Sequence, residues 1–345
     1  MRLSFILLLM LFYTGFSVAQ IEQNEKELFK IGVEQQLSGD YTKALNSFTK
    51  LTEINPKKSI YFYYLAISKL QLKNYSDALV DLNRYMTMDS VIAEAYFNRY
   101  IANKETRNFQ FALADISRYL TYYSNDTNAR LARYDLALKM SENSEIIEDG
   151  KWLIKNKQAN DSLIITQLRI LENENMKGES LELLNFILED PQVSVRFFLD
   201  RAFILFSIGH YEKSIKDIDR FLISEPKYVQ ALKLKFDNYF YLRNLPDCES
   251  LILELIDLQP DNGTFIGDYG HILLQKGDWK AAEKQFDKAI RFKSDNLGYI
   301  YLGRAIARYN TGRAGLACAD WERSLLLGES ISRKYLNQYC NKVND

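Results

Sequence analysis

Histidine, cysteine and proline are scarce in this 345-residue sequence. It contains two His and three Cys, so it offers few of the ligands that zinc or copper sites use and few bases for nucleophilic catalysis. No G-x-x-x-x-G-K-[ST], H-E-x-x-H, G-x-S-x-G or C-x-x-C motif occurs. These absences argue against an enzyme and against a bound metal or cofactor.

Turn residues and excess charge are also lacking. Five Pro and 15 Gly are fewer than the frequent turns of β-sandwiches and barrels require, which favours helices. The 44 Lys and Arg are balanced by 45 Asp and Glu, so the chain lacks the basic surface that dominates nucleic-acid affinity. Because 47% of the residues are hydrophobic, the chain is expected to be globular.

The N-terminus has the pattern of a secretory signal peptide. Arg2 precedes an apolar run over Phe5–Phe12, and Ser17-Val18-Ala19 offers small residues for a signal peptidase. We predict cleavage after Ala19 and a periplasmic or secreted mature protein, without a transmembrane segment or a cysteine for lipid attachment. An uncleaved membrane anchor is the alternative, although the apolar run is short for a membrane span.

A repeat of 34 residues runs through the rest of the chain. Small residues recur at Ala44, Ala78 and Ala112, and a second series at Ser214, Cys248 and Ala282 keeps the same phase. Large apolar residues follow four positions later, so both lie on one helical stripe and predict closely packed antiparallel helices. These large residues are Phe48, Leu82, Ile116, Leu184, Ile218, Ile252 and Phe286, with Gly150 as the exception.

The repeat resembles the tetratricopeptide repeat (TPR) family over about residues 25–330. The turns Gly39-Asp40-Tyr41, Gly209-His210-Tyr211 and Gly277-Asp278-Trp279 match the family pattern, as does a Pro near the end of several second helices. The resemblance implies an all-α fold, a right-handed α-solenoid of helix-turn-helix repeats with a C-terminal capping helix. The predicted divisions are a signal peptide (1–19), repeats 1–3 (25–126), degenerate repeats 4–5 (127–194), repeats 6–9 (195–328) and the capping helix (329–345).

In the TPR family the first helix of each repeat lines a concave groove that receives peptides. The resemblance therefore implies an aromatic groove, and aromatic rings are suited to anchoring a protein segment. Burial of some of these rings in the core is the alternative. The predicted groove residues are Phe29, Tyr63, Tyr64, Phe97, Asn98, Phe203, Phe206, Lys233, Phe240 and Tyr241.

The cysteines and histidines receive structural interpretations. Cys318 and Cys340 lie ten residues before and twelve residues after Gly328, which brings them level on two antiparallel helices. In an oxidising compartment they are expected to form a disulfide, with two buried thiols as the alternative. His210 and His271 are expected to face solvent or the groove, and the carboxylates between Glu145 and Asp149 to form a solvated face.

Together these patterns predict an exported, non-catalytic scaffold or adaptor that binds another protein or peptide of the cell envelope, in envelope assembly or secretion. They predict no cofactor, no metal and no nucleic-acid partner. Two alternatives stay open, a glycan-binding accessory protein of the envelope and a solenoid that associates with itself.

Overall fold

The protein is described by a computed structural model over residues 22–88 and 92–340. The predicted signal peptide lies outside these residues, as do the last five residues of the predicted capping helix. All regular elements of the described residues are helical, which confirms the predicted all-α fold. None of the described helices is long and apolar enough to cross a membrane.

The chain divides into two compact units, residues 1–174 and 175–345. In unit 1, sequence-adjacent helices pack against each other from α1 to α9. Its helices are α1 (22–37), α2 (Tyr41–Ile54), α3 (Ser59–Gln71), α4 (Tyr75–Thr87), α5 (Ala93–Glu105), α6 (Phe109–Tyr122), α7 (Thr127–Met140), α8 (Asn143–Lys155) and α9 (Asp161–Asn173).

Unit 2 is built in the same way and ends in a short cap. Its helices are α10 (Lys177–Ile187), α11 (Arg196–Ser207), α12 (Tyr211–Ser224), α13 (Val229–Tyr241), α14 (Leu245–Leu258), α15 (Gly263–Gln275), α16 (Trp279–Arg291), α17 (Leu297–Asn310), α18 (Ala314–Leu326) and α19 (Ser332–Tyr335), followed by a π-helical turn over Leu336–Cys340.

The predicted packing residues form the core of both units. The small residues of the second helices, such as Ala78 and Ser214, are completely buried, and so are the large residues that follow four positions later. Two first helices carry a glycine opposite one of these large side chains. A Cβ at Gly32 would lie 2.8 Å from the ring of Phe48, and one at Gly270 would lie 2.7 Å from Phe286. In these two helix pairs the close approach requires glycine, whereas the equivalent positions of other first helices hold residues as large as Tyr100 and Phe236.

A polar contact recurs with the same period. An arginine on a first helix donates to an aspartate sixteen residues later on the second helix, at 2.6 Å for Arg99–Asp115 and 2.7 Å for Arg201–Asp217. The same arginines also bond the preceding second helix, through Asn83 and Asn185. We call this contact the Arg–Asp–Asn frame. Related Arg–Asp pairs occur at Arg133–Asp149 and Arg304–Asp320.

The expectation of a solvated carboxylate face over Glu145–Asp149 was wrong for Asp149. Its side chain is fully buried and accepts hydrogen bonds from Arg130 and Arg133, each at 2.6 Å. The paired guanidinium groups offset the cost of burying the carboxylate.

The exception at Gly150 also has a local explanation. Gln167 of α9 occupies the position that Arg99 and Arg133 occupy in the preceding repeats, and its side chain is completely buried. A Cβ at Gly150 would lie 2.0 Å from Gln167 Oε1, so a large apolar residue cannot occupy this position. In this repeat the side chain of Gln167 thus occupies the space beside Gly150 that a larger side chain would need.

The C-terminal cap is joined to α18 by a disulfide between Cys318 and Cys340, with 5.8 Å between their Cα atoms. Tyr335 and Tyr339 of the cap stack on Trp321 of α18, with ring centroids 5.3 and 5.9 Å away. Among the described residues, the helical part of the cap begins at Ser332, three residues after the expected start at 329, and continues to Cys340 with a π-helical last turn. It covers the apolar cluster around Trp321.

Candidate functional site

The predicted groove aromatics of unit 1 lie mainly inside the packing between helix pairs. Phe29 is half-buried, with its ring centroid 5.2 Å from Tyr64 and 5.5 Å from Tyr61. Tyr63 is only 7% exposed and lies 5.2 Å from the ring of Tyr85. These rings therefore offer little free surface to a ligand.

Phe97 and Asn98 follow the same pattern. Phe97 is half-buried and packs 5.0 Å from the ring of Tyr119. Asn98 Nδ2 donates a hydrogen bond of 3.1 Å to the Tyr63 hydroxyl, and burial raises the pKa of Tyr63 to about 12. Both residues connect α5 to its neighbours within unit 1.

Unit 2 places its predicted aromatics differently. Phe206 lies 5.5 Å from Tyr241, and Tyr241 stacks on Tyr211 at 5.2 Å with an interplanar angle of 11°. Tyr241 is 60% exposed, and Phe203, one turn before Phe206 on α11, is 46% exposed. We call Phe203, Phe206, Tyr211 and Tyr241 the aromatic patch.

The two other predicted residues of unit 2 lie on α13. Phe240 is half-buried and belongs to the core cluster around Phe236. Lys233 Nζ lies 2.5 Å from Asp237 and 3.6 Å from Asp268. Burial raises the pKa of Asp268 to about 6, although the nearby Lys233 opposes the shift. Lys233 is therefore engaged by carboxylates of its own unit.

The expectation that His271 faces solvent or the groove was wrong, because its side chain is buried. It is 8% exposed and stacks at 3.8 Å on Tyr299, with Phe286 at 4.8 Å on another side. Burial lowers the pKa of His271 to about 3, so the side chain is neutral at physiological pH. Its partners lie on other helices, which a sequence pattern does not bring together.

Unit 1 contains an open pocket that the sequence interpretation missed. Its volume is about 450 Å³, and it lies between the α5–α6 turn and α7. Three cationic and two anionic side chains surround an apolar floor, and we call it the basic pocket. It is lined by Lys104, Glu105, Arg107, Phe109, Ala132, Asp135, Leu136 and Lys139.

The basic pocket and the aromatic patch occupy the same positions of the repeat, three periods apart. Lys104 corresponds to Phe206, Phe109 to Tyr211 and Lys139 to Tyr241. The 34-residue period could have revealed this pocket, but only the aromatic members of these positions were recognised from the sequence.

Among the residues that the structure describes, no group of three or more His, Cys, Asp or Glu side chains is arranged to hold a metal ion. The free thiol of Cys248 is buried, and burial raises its pKa to about 11, so it is held in the unreactive thiol form.

The chain is similar to known proteins in its three-dimensional structure and not in its sequence. No protein-family model matches the chain, and no curated protein matches its sequence. The solved structure of Naa15/Naa10 bound to HypK-THB is similar at a TM-score of 0.53 and 13% identity, over 92% of this chain and 53% of that chain. This chain therefore spans about half the length of that protein.

Two shorter proteins are similar with lower scores. MamA 41-end from Desulfovibrio magneticus RS-1 has 12% identity and a TM-score of 0.45, over 50% of this chain and 97% of that chain. A tetratricopeptide repeat protein from Parabacteroides merdae ATCC 43184 has 16% identity and a TM-score of 0.32, over 83% of this chain and 99% of that chain.

The repeating helix pairs and the similarity to the Naa15/Naa10 structure define an all-α protein of tandem helix hairpins. Its fold is that of the tetratricopeptide repeat solenoids.

Proposed function

We propose that this chain is a non-catalytic scaffold or adaptor that binds a segment of another protein through the aromatic patch of unit 2. The observation that carries the proposal is the exposure of Tyr241, which stacks on Tyr211, and of Phe203 one turn before Phe206 on α11. Solvent-exposed aromatic rings bury a large apolar area on binding at a low cost in side-chain entropy.

The comparisons support a protein partner. In the solved structure, Naa15/Naa10 is bound to HypK-THB. Because 13% identity relates folds and not binding partners, the partner of this chain has to be found by experiment. We place its role in assembly or secretion at the cell envelope, on the basis of the N-terminal signal pattern.

The test is cross-linked affinity isolation of the tagged mature protein from its own cell envelope. The test variant combines Phe203→Ala with Tyr241→Ala. The control combines Phe111→Ala with Tyr122→Ala, which removes the same two residue types from exposed positions on α6. Circular dichroism must first show that both variants are folded.

We expect a protein that is recovered with the native chain and the control but lost with the test variant. Equal recovery with both variants would contradict the proposal. Binding of isolated oligosaccharides by the native chain, lost in the test variant, would instead support a glycan-binding protein, since the exposed ring of Tyr241 also suits stacking against sugars.

A further inference from the structure

The basic pocket of unit 1 carries a second inference, independent of the aromatic patch. Its walls come from three segments: the end of α5 with Lys104, the α5–α6 turn with Arg107, and α7 with Asp135 and Lys139. Leu136 is buried and Phe109 is half-buried, so the floor is apolar while the rim is charged.

The two lysines of the basic pocket lie near aromatic rings and, among the described residues, are not paired with carboxylates. Lys139 Nζ lies 4.0 Å from the ring centroid of Phe109, and Lys104 Nζ lies 5.8 Å from that of Tyr100. Within residues 22–88 and 92–340, neither lysine nor Arg107 has a carboxylate partner in an ion pair. An ammonium group held over a ring retains N–H donors for an anionic ligand.

The anionic residues of the rim narrow the class of ligand. Glu105 and Asp135 also have no ion-pair partner among the described residues. They would repel a polyanion, and inorganic phosphate at neutral pH offers few donors to them. An extended peptide carries both required groups, because its backbone N–H groups donate to carboxylates and its acidic side chains accept from lysine and arginine.

We propose that the basic pocket binds an extended peptide segment bearing Asp or Glu side chains. The acidic side chain lies among Lys104, Arg107 and Lys139, its methylene groups contact Phe109 and Leu136, and backbone N–H groups donate to the rim carboxylates. This goes beyond the function proposed above because it assigns a second surface of different chemistry, which does not require the aromatic patch to bind anything.

The test is fluorescence anisotropy with the mature protein and a short fluorescein-labelled peptide that carries a single Glu in an otherwise uncharged sequence. The same peptide with that Glu replaced by Gln is the matched probe. The test variant combines Lys104→Ala with Lys139→Ala. The control combines Lys50→Ala with Lys57→Ala, two exposed lysines of unit 1 whose loss changes the net charge equally. A third variant, Lys104→Arg with Lys139→Arg, retains both charges.

We expect the Glu peptide to bind at least about tenfold more tightly than the Gln peptide, and the test variant to lose this preference. The control and the arginine variant should retain it, and added salt should weaken it. Equal affinity for the two peptides, an equal loss in the control, or displacement of the peptide by a similar concentration of inorganic phosphate would overturn the proposal.

The two proposals fail separately. Phe203→Ala with Tyr241→Ala is expected to leave binding of the Glu peptide unchanged. If that variant abolishes binding of the Glu peptide while Lys104→Ala with Lys139→Ala does not, the acidic segment binds the aromatic patch and the inference about the basic pocket is wrong.

Discussion

The basic pocket of unit 1 and the aromatic patch of unit 2 are the same part of the repeat with different side chains. In unit 1 the last turn of the first helix places Lys139 over the ring of Phe109. In unit 2 the equivalent contact stacks Tyr241 on Tyr211. The backbone geometry is reused, and a small number of positions decides whether the surface offers charge or an apolar ring to a ligand.

The helices that carry these two surfaces are joined by almost the same contact. Arg99, Asp115 and Asn83 form the Arg–Asp–Asn frame on α4 to α6, and three repeat periods later an arginine, an aspartate and an asparagine form it again on α10 to α12. Each frame joins three helices through charge-assisted hydrogen bonds. The comparison indicates that the frame holds the three helices in the same arrangement in both units, while the side chains of the surface differ between them.

The strongest test of this comparison breaks the frame in each unit. Asp115→Ala and Asp217→Ala each leave a largely buried guanidinium without its carboxylate, and each should lower the free energy of unfolding by about 3 to 5 kcal/mol. Urea denaturation followed by circular dichroism measures the loss. Asp135→Ala removes an exposed carboxylate of unit 1 and should cost less than about 0.5 kcal/mol. If it costs as much as Asp115→Ala, the frame has no special role.

The units also differ in covalent cross-linking. All three cysteines belong to unit 2, where a disulfide joins the C-terminal cap to α18. Reducing the Cys318–Cys340 disulfide, which closes a sequence separation of 22 residues, should lower the stability of the C-terminal pairs by about 3 kcal/mol. Amide hydrogen exchange should become faster in α17 and α18 and stay unchanged in α2 to α8. Cys318→Ser with Cys340→Ser should reproduce the pattern without reductant. Equal acceleration in both units would show that the cap does not act locally.

Acid should also distinguish the units, since both histidines lie in unit 2. The pKa of His271 is lowered to about 3 in the fold, so between pH 6.5 and 3 the unfolded chain binds a proton that the folded chain does not. Lowering the pH to 4 should therefore cost unit 2 about 2 to 3 kcal/mol through His271. Asp268, with a pKa raised to about 6, acts in the opposite direction between pH 6 and 3.8.

His271→Asn isolates the histidine from Asp268, because it removes one titrating group and leaves the other in place. The stability of the variant, measured by urea denaturation at pH 7 and pH 4, should fall less on acidification than that of the native chain. An unchanged difference between the two pH values would show that His271 does not titrate as its burial implies.

Much of the fold was predictable because the spacing of the packing residues can be recognised within a single helix. Ala78 and Leu82 lie on the same stripe of one helix, and their burial follows from spacing alone. The exposure of the aromatic residues did not follow in the same way. Tyr63 and Tyr241 were both placed in a groove, but Tyr63 is covered by residues of other helices, whereas Tyr241 is the last residue of α13 and is open to solvent.

Charged residues were the least predictable part of the sites. Asp149 sits in a run of carboxylates that suggested a solvated surface, yet its arginine partners lie on the preceding helix. The period of the aspartates, which repeats with that of Ala44 and Ala78, was a usable signal for a buried role. For the basic pocket the usable signal was the 34-residue period, which relates Lys104 and Lys139 to Phe206 and Tyr241; the charges themselves gave none, because the lysines contact rings and not carboxylates.

The smallest expected effect on stability comes from exchanging the two surfaces. Lys104→Phe with Lys139→Tyr gives unit 1 two aromatic side chains of the patch, and Phe206→Lys with Tyr241→Lys gives unit 2 the two lysines of the basic pocket, with Gly209 at the position of Arg107. Because the exchanged side chains are not part of the frames, each exchange should change the free energy of unfolding by less than about 1 kcal/mol. In the fluorescence assay, the first exchange should lower the affinity for the Glu peptide about tenfold, and the second should restore part of that affinity when combined with the first. Restored binding would mean that these positions carry the specificity, whereas a large loss of stability in either exchange would mean that surface and frame are not independent.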